Sequence, residues 1–109
     1  MSGVTVIIPL LNRERFIAEA IQSVFDQQFA GTLEIIVSDD GSTDNGVDIA
    51  RSFGSPVKVL LKPGNCPDQG VSGARNRGIE AATQSYIAFL DSHDYYLPGH
   101  LNKMAALLV

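Results

Sequence analysis

The chain has a single cysteine, few aromatic residues and few cations. Cys66 stands alone, so no internal disulfide forms and no cysteine-rich zinc site can be built, which fits a reducing compartment. Eight Lys and Arg stand against twelve Asp and Glu, for a net charge of −4. Binding to a phosphate backbone requires clustered cations, so a nucleic-acid surface is excluded. No apolar run reaches the roughly 20 residues that span a bilayer. Met1-Ser2-Gly3 leads straight into strand-like residues without a basic leader, and a cytoplasmic location is expected. Neither a glycine-rich dinucleotide fingerprint nor a Gly-Lys-Ser/Thr phosphate loop follows the first apolar run. Repeats and low-complexity segments are absent too.

What remains is ordinary globular composition, 45% hydrophobic and 18% charged, in 109 residues. Length suits one small domain or part of a larger one. Val4-Thr5-Val6-Ile7-Ile8 predicts a parallel strand buried on both faces and stopping at Pro9. From Arg13, the apolar positions Phe16, Ile17, Ala20, Ile21, Val24 and Phe25 recur at helical spacing, with Asn12 as N-cap and Gly31 as exit. Leu33 to Ser38 predicts a second strand running into the turn Asp39-Asp40-Gly41-Ser42-Thr43-Asp44, then a short helix to Gly54. Val57 to Leu61 predicts a third strand. Two prolines and two glycines in the eight residues from Pro63 to Gly70 make a loop long enough to reach a ligand. Residues 71–82 predict a helix burying Val71, Ala74, Gly78, Ile79 and Ala82, its small residues allowing close approach to the sheet. Tyr86-Ile87-Ala88 reads as a buried strand, and Leu97, Leu101, Met104, Ala105 and Leu108 as a last amphipathic stripe. Alternating strands and helices imply a mostly parallel, Rossmann-like α/β sheet flanked by helices.

The polar residues gather at predicted strand ends, where open α/β sheets bind ligands. Asp91 and His93 offer an oxygen and a nitrogen two residues apart, a donor pair suited to a divalent cation, with Asp94 as a further carboxylate. A plain Asp/Ser turn is the alternative. If the first and last strands are neighbours, Asn12, Asp39, Asp40, Asp91 and His93 converge. Carboxylates about 4 Å apart repel by roughly 1 kcal/mol in water and roughly 4 kcal/mol at the effective dielectric of proteins, which favours a bound cation. Arg75 and Arg77, near a helix start, add charge-assisted contacts to a phosphate. Asp44 suffices to cap the second helix, leaving Asp39 and Asp40 unexplained by capping. Ser42 reads as a turn residue, His100 as surface, Cys66 as unreactive, and Tyr95 and Tyr96 as packing. A phosphoacceptor domain would carry its acidic pair after the first strand; here the pair follows the second.

Four segments together resemble the family 2 glycosyltransferases of the GT-A fold: residues 4–9 with Asn12, Glu34 to Asp44, Gly73 to Ile79, and Phe89 to Asp94. The resemblance spans essentially the whole chain and implies the N-terminal, nucleotide-sugar-binding portion of such an enzyme, usually inverting. It implies that Pro9, Asn12 and Glu14 line a nucleoside pocket, that Asp40 and Asp39 contact base or ribose, and that Arg75 lies near the diphosphate. Asp91 and Ser92 would face the donor, and Asp91 with His93 would hold Mn²⁺ or Mg²⁺. The family usually has Asp-x-Asp where Asp91-Ser92-His93 stands; the polypeptide N-acetylgalactosaminyltransferases similarly use Asp-x-His, and Asp94 is the substitute ligand. Leu11 stands where an aromatic residue is frequent. The acceptor, a glycan or other hydroxyl, and the general base would be handled by segments beyond residues 1–109, as would any membrane association. An uncovered sheet edge would favour self-association. The competing expectation is an inactive nucleotide-binding or scaffold module.

Overall fold

The computed structural model describes residues 3–64, 70–92 and 94–107, with side chains through residue 103. The expectations for Cys66, His93, Met104, Ala105 and Leu108 therefore lie outside the described residues. Among the described residues four strands and four helices alternate: β1 (Val4–Leu10), α1 (Ile17–Phe25), β2 (Leu33–Asp39), α2 (Gly46–Ser52), β3 (Val57–Leu60), α3 (Gly70–Ala81), β4 (Tyr86–Phe89) and α4 (His100–Leu107). The sheet is wholly parallel in the order β3-β2-β1-β4, with Ile7 of β1 opposite Ile36 on one side and Phe89 on the other. The first and last strands are thus neighbours. The order in which strands are added reverses at β1, opening a crevice at the carboxyl ends.

Alternation along β1 sorts the two faces. Val4, Val6, Ile8 and Leu10 join Ile35 and Val37 of β2 in one core with Ile17, Ala20, Ile21 and Val24 of α1, Ala50 of α2 and Leu101 of α4. The opposite face, carrying Ile7, meets α3 at Gly78, where an added Cβ would lie 2.6 Å from Ile7 Cγ2. Small residues let α3 lie close to the sheet, as the sequence predicts. No helix among the described residues is long and apolar enough to cross a membrane.

Several expected boundaries move. β1 does not stop at Pro9 but runs through it to Leu10. The Ile7 carbonyl accepts from Leu90 N and the Leu10 carbonyl from Asp40 N, so alternation turns position 9 toward β4, which has already ended at Phe89. The missing N–H of Pro9 costs no ladder bond. β2 extends one residue further, to Asp39, and β3 stops one earlier, at Leu60. α1 begins at Ile17, not Arg13, and its N-cap is Phe16 with no side-chain bond, because Asn12 is engaged elsewhere. Phe16 accordingly lies 45% exposed, outside the core. The chain leaves α1 at Phe25 and reverses through Gln28, which takes a positive φ of 50°, well before Gly31.

Burial corrects other expectations. On α3, Ala74 and Gly78 are buried, but Val71 and Ile79 are about half exposed because the helix contacts the sheet along a narrow line. Within β4 only Ala88 is buried; Ile87 and Phe89, on the α3 face, stay exposed, although the Arg75 side chain of α3 lies over the Phe89 ring. Leu97 stands outside the last stripe at 67% exposure, whereas Leu101 is buried.

Candidate functional site

The carboxyl ends of β1, β2 and β4 deliver three loops to one side of the sheet. The loops after β1 and β2 are laced together. Asn12, at a φ of 50°, donates its backbone N–H to Ser42 Oγ (3.1 Å) and accepts at Oδ1 from Thr43 N (2.8 Å). Glu14 donates its N–H to Asp44 Oδ2 (3.1 Å) and accepts at Oε2 from Asn45 N (3.0 Å). Asp44 Oδ1 in turn accepts from Gly46 N (2.9 Å), the first residue of α2, but the N-cap itself is Asn45, which makes no side-chain cap bond, so Asp44 acts from one position before the cap expected of it. Asp39 is 4% exposed, and its Oδ2 accepts from Gly41 N (3.0 Å) and Ser42 N (3.1 Å), turning the chain directly after β2.

Asp40 faces the other way. Its Oδ2 accepts from Gly70 N (2.9 Å) at the head of α3, and its Oδ1 lies 3.4 Å from Arg77 and 3.8 Å from Lys62. Asp91, past the end of β4, pairs its Oδ1 with Arg75 (3.4 Å), whose guanidinium sits 5.5 Å above the Phe89 ring. A groove of about 170 Å³ runs between the two acids, lined by Pro9, Leu11, Arg13, Asp40, Gly70, Val71, Asp91 and Ser92 among others. Of the positions singled out in the sequence, Pro9, Asp40, Asp91 and Ser92 therefore meet in one groove, with Arg75 bonded to Asp91. Asn12, Glu14 and Asp39 instead lie behind it, in the bonds that shape its wall. His93 is outside the described residues.

The turn that carries Asp91 is anchored from behind. Asp94 N donates to the Asp91 carbonyl (2.9 Å), and the Tyr96 hydroxyl donates to the Phe89 carbonyl (2.7 Å). Burial pushes the Tyr96 phenol up to about 12, so this donor keeps its proton at neutral pH. Gln27, in the turn after α1, donates to the Leu97 carbonyl (2.7 Å) and accepts from Leu101 N (2.9 Å), tying the segment to the helical layer. A larger hollow of about 330 Å³ lies between α1 and residues 95–98, away from the strand ends. It holds two acids, Glu19 and Asp26, and no basic side chain among its lining residues.

Lys62 and Arg13 are site residues the sequence did not single out. Lys62 follows β3 as Asp40 follows β2, so the strand-end rule could have found it. Among the described residues no three His, Cys, Asp or Glu side chains form a metal cage. The chemistry of the donors fits a cation completed by its ligand: Asp91 is a hard oxygen donor, 39% exposed and open toward the groove.

Comparison with known proteins agrees with this geometry. The description "Glycosyl transferase family 2" matches residues 5–109. The uncharacterized glycosyltransferase YibD of Escherichia coli is 44% identical over 96 residues, covering 86% of this chain and 27% of that protein. The GalNAc(5)-diNAcBac-PP-undecaprenol beta-1,3-glucosyltransferase of Campylobacter jejuni is 34% identical over 107 residues, covering 95% and 34%. Among solved structures, S. aureus TarS in complex with UDP superposes with a TM-score of 0.84 at 30% identity, covering 97% of this chain and 32% of that one. The glucosyl-3-phosphoglycerate synthase of Mycobacterium tuberculosis, in complex with Mn²⁺ and UDP, superposes at 0.71 with 27% identity, covering 86% and 36%. The chain spans about a third of the length of the curated relatives it matches. The fold is that of the GT-A glycosyltransferases. The family description covers residues 5–109, nearly the whole chain, and the chain belongs to glycosyl transferase family 2.

Proposed function

We propose that residues 1–109 form the donor-binding part of a metal-assisted, inverting glycosyltransferase that takes its sugar from a nucleoside diphosphate. The observation that carries this reading is the meeting of Asp40 and Asp91, from β2 and β4, in one groove at the carboxyl ends of the sheet. Asp40, held by Gly70 N and flanked by Arg77 and Lys62, accepts a hydrogen bond from the base or ribose. Arg75 and the head of α3 meet the diphosphate. Asp91 and His93 hold the divalent cation, with Ser92 between them, and Asp94 stands in if His93 does not bind. When bound, that cation offsets the charge that develops on the departing diphosphate. Asn12, Glu14 and Asp39 act on the nucleoside pocket through the loops they shape. A general base and a hydroxyl acceptor, glycan or lipid-linked glycan, belong to the remainder of the protein, in a cytoplasmic setting. The similarity to UDP-bound relatives supports a uridine nucleotide as the first donor to test.

Titration of the chain with UDP, GDP and dTDP sugars, with and without Mn²⁺, tests this. One charge-assisted bond is worth about 1.5–3 kcal/mol, so Asp40→Asn and Asp91→Asn are each expected to weaken binding by roughly 10- to 100-fold. Only Asp91→Asn and His93→Ala should remove the Mn²⁺ dependence. Binding that ignores Mn²⁺, or no binding at all, would favour the scaffold reading.

A further inference from the structure

The two acids of the groove, Asp40 and Asp91, are each paired with an arginine, and the two pairs differ in exposure. Asp40 and Arg77 are enclosed, their side chains 10% and 14% exposed, and the Gly70 amide fixes the carboxylate from a third direction. Asp91 and Arg75 are 39% and 40% exposed, so their 3.4 Å contact, as long as that between Asp40 and Arg77, is open to water and to ligands. Arg75 Nε is buried without an acceptor among the described residues, so the guanidinium keeps an unpaired donor. The Phe89 ring lies beneath, its centroid 5.5 Å from the guanidinium carbon, a surface over which the cation can stay while its partner changes.

We infer that Arg75 is an exchangeable counter-ion: without ligand it occupies the Asp91 carboxylate that a divalent cation requires, and a nucleoside diphosphate draws it away. The inference rests on the donor-site reading above and adds an order to it. Asp91 is a poor cation ligand while Arg75 stands on it, because the incoming positive charge is repelled. Diphosphate oxygens satisfy the idle N–H of Arg75 and release Asp91. Cation and nucleotide therefore bind cooperatively, each raising the affinity of the other by the same factor.

The test is Mn²⁺ binding, followed by the electron paramagnetic resonance of the free ion, for wild type, Arg75→Met and Arg51→Met. Each variant is titrated without nucleotide and with UDP, and folding is checked by circular dichroism. Arg75→Met is expected to bind Mn²⁺ at least about fivefold more tightly than wild type without nucleotide, the low end of usual coupling factors. It should also bind metal-free UDP more weakly. Arg51→Met removes the same charge from the exposed last turn of α2, away from the groove, and should leave Mn²⁺ affinity within about twofold. A residue that merely supported the fold would weaken both ligands when lost. Should Arg75→Met fail to fold, Arg75→Lys takes its place, with tightening in the same direction but smaller. No tightening in the folded variant, with Mn²⁺-dependent UDP binding intact in wild type, would overturn the exchange and leave the donor site standing. Absence of Mn²⁺-dependent UDP binding in wild type would overturn both.

Discussion

Glu34 is the most heavily bonded carboxylate in the molecule's described part, at the end of the sheet opposite the groove. It is 4% exposed, yet its oxygens accept from Thr5 Oγ1 (2.6 Å), Lys58 Nζ (2.7 Å), Thr83 N (2.9 Å) and Thr83 Oγ1 (2.9 Å). Burial alone would raise its pKa; the bonds from Lys58, Thr5 and Thr83 override that and hold it at about 2, below the ordinary 4.5. A carboxyl whose folded pKa is lowered contributes stability that is complete above its unfolded pKa and disappears as pH falls through the folded one. The contribution is on the order of 2–3 kcal/mol, reduced because Lys58 is 60% exposed. Urea unfolding of wild type should therefore show a stability loss between about pH 5 and pH 2 that Glu34→Gln largely lacks. Equal slopes in the two proteins would disprove the account. In the sequence Glu34 is simply a polar residue near the start of a strand. Its partners stand 24, 29 and 49 positions away, a distance no local pattern spans.

At the scale of elements, α3 is placed by what it lacks. Its buried residues are Gly73, Ala74 and Gly78, and Gly78 lies over Ile7. A methyl group there would meet Ile7 Cγ2 at 2.6 Å and two further Ile7 carbons at 3.2 Å. Overpacking of this kind costs about 1–3 kcal/mol, against about 1 kcal/mol that alanine gains over glycine inside a helix. Gly78→Ala is accordingly expected to lose up to about 2 kcal/mol in urea unfolding, and, because α3 carries Arg75 and Arg77, to weaken donor binding as well. A variant as stable as wild type would show that Ile7 can move aside. The close approach was legible from the small residues at helical spacing. The exposure of Val71 and Ile79 was not, because a period of 3.6 marks a face but does not say how wide a strip of it the sheet covers. The start of α1 was misread for a related reason. Asn12 and Glu14 look like helix-start residues, and the neighbouring loop claims them instead.

For the molecule as a whole, the asymmetry of the two faces matters most. Three helices cover one face and α3 alone lies on the other, leaving Ile87 (38% exposed) and Phe89 (44%) beside the outer edge of β4. An apolar edge strand with free backbone groups pairs readily with another chain. Sedimentation of residues 1–109 is expected to show concentration-dependent self-association, and Ile87→Lys should reduce it by placing a charge on the edge. A monomer at every concentration would argue against this.

Element types and order were set by patterns that act within a few residues: β-branched runs, helical spacing of apolar positions, and turn residues between them. The motifs that mark the family are equally local, and they pointed to the strand ends before any fold was known. Which strands are neighbours, which acids face the groove and which turn inward, and which arginine is enclosed and which exposed were decided only when the chain closed. Those outcomes depend on pairings between residues tens of positions apart, whose energies arise from burial and geometry that local sequence does not encode.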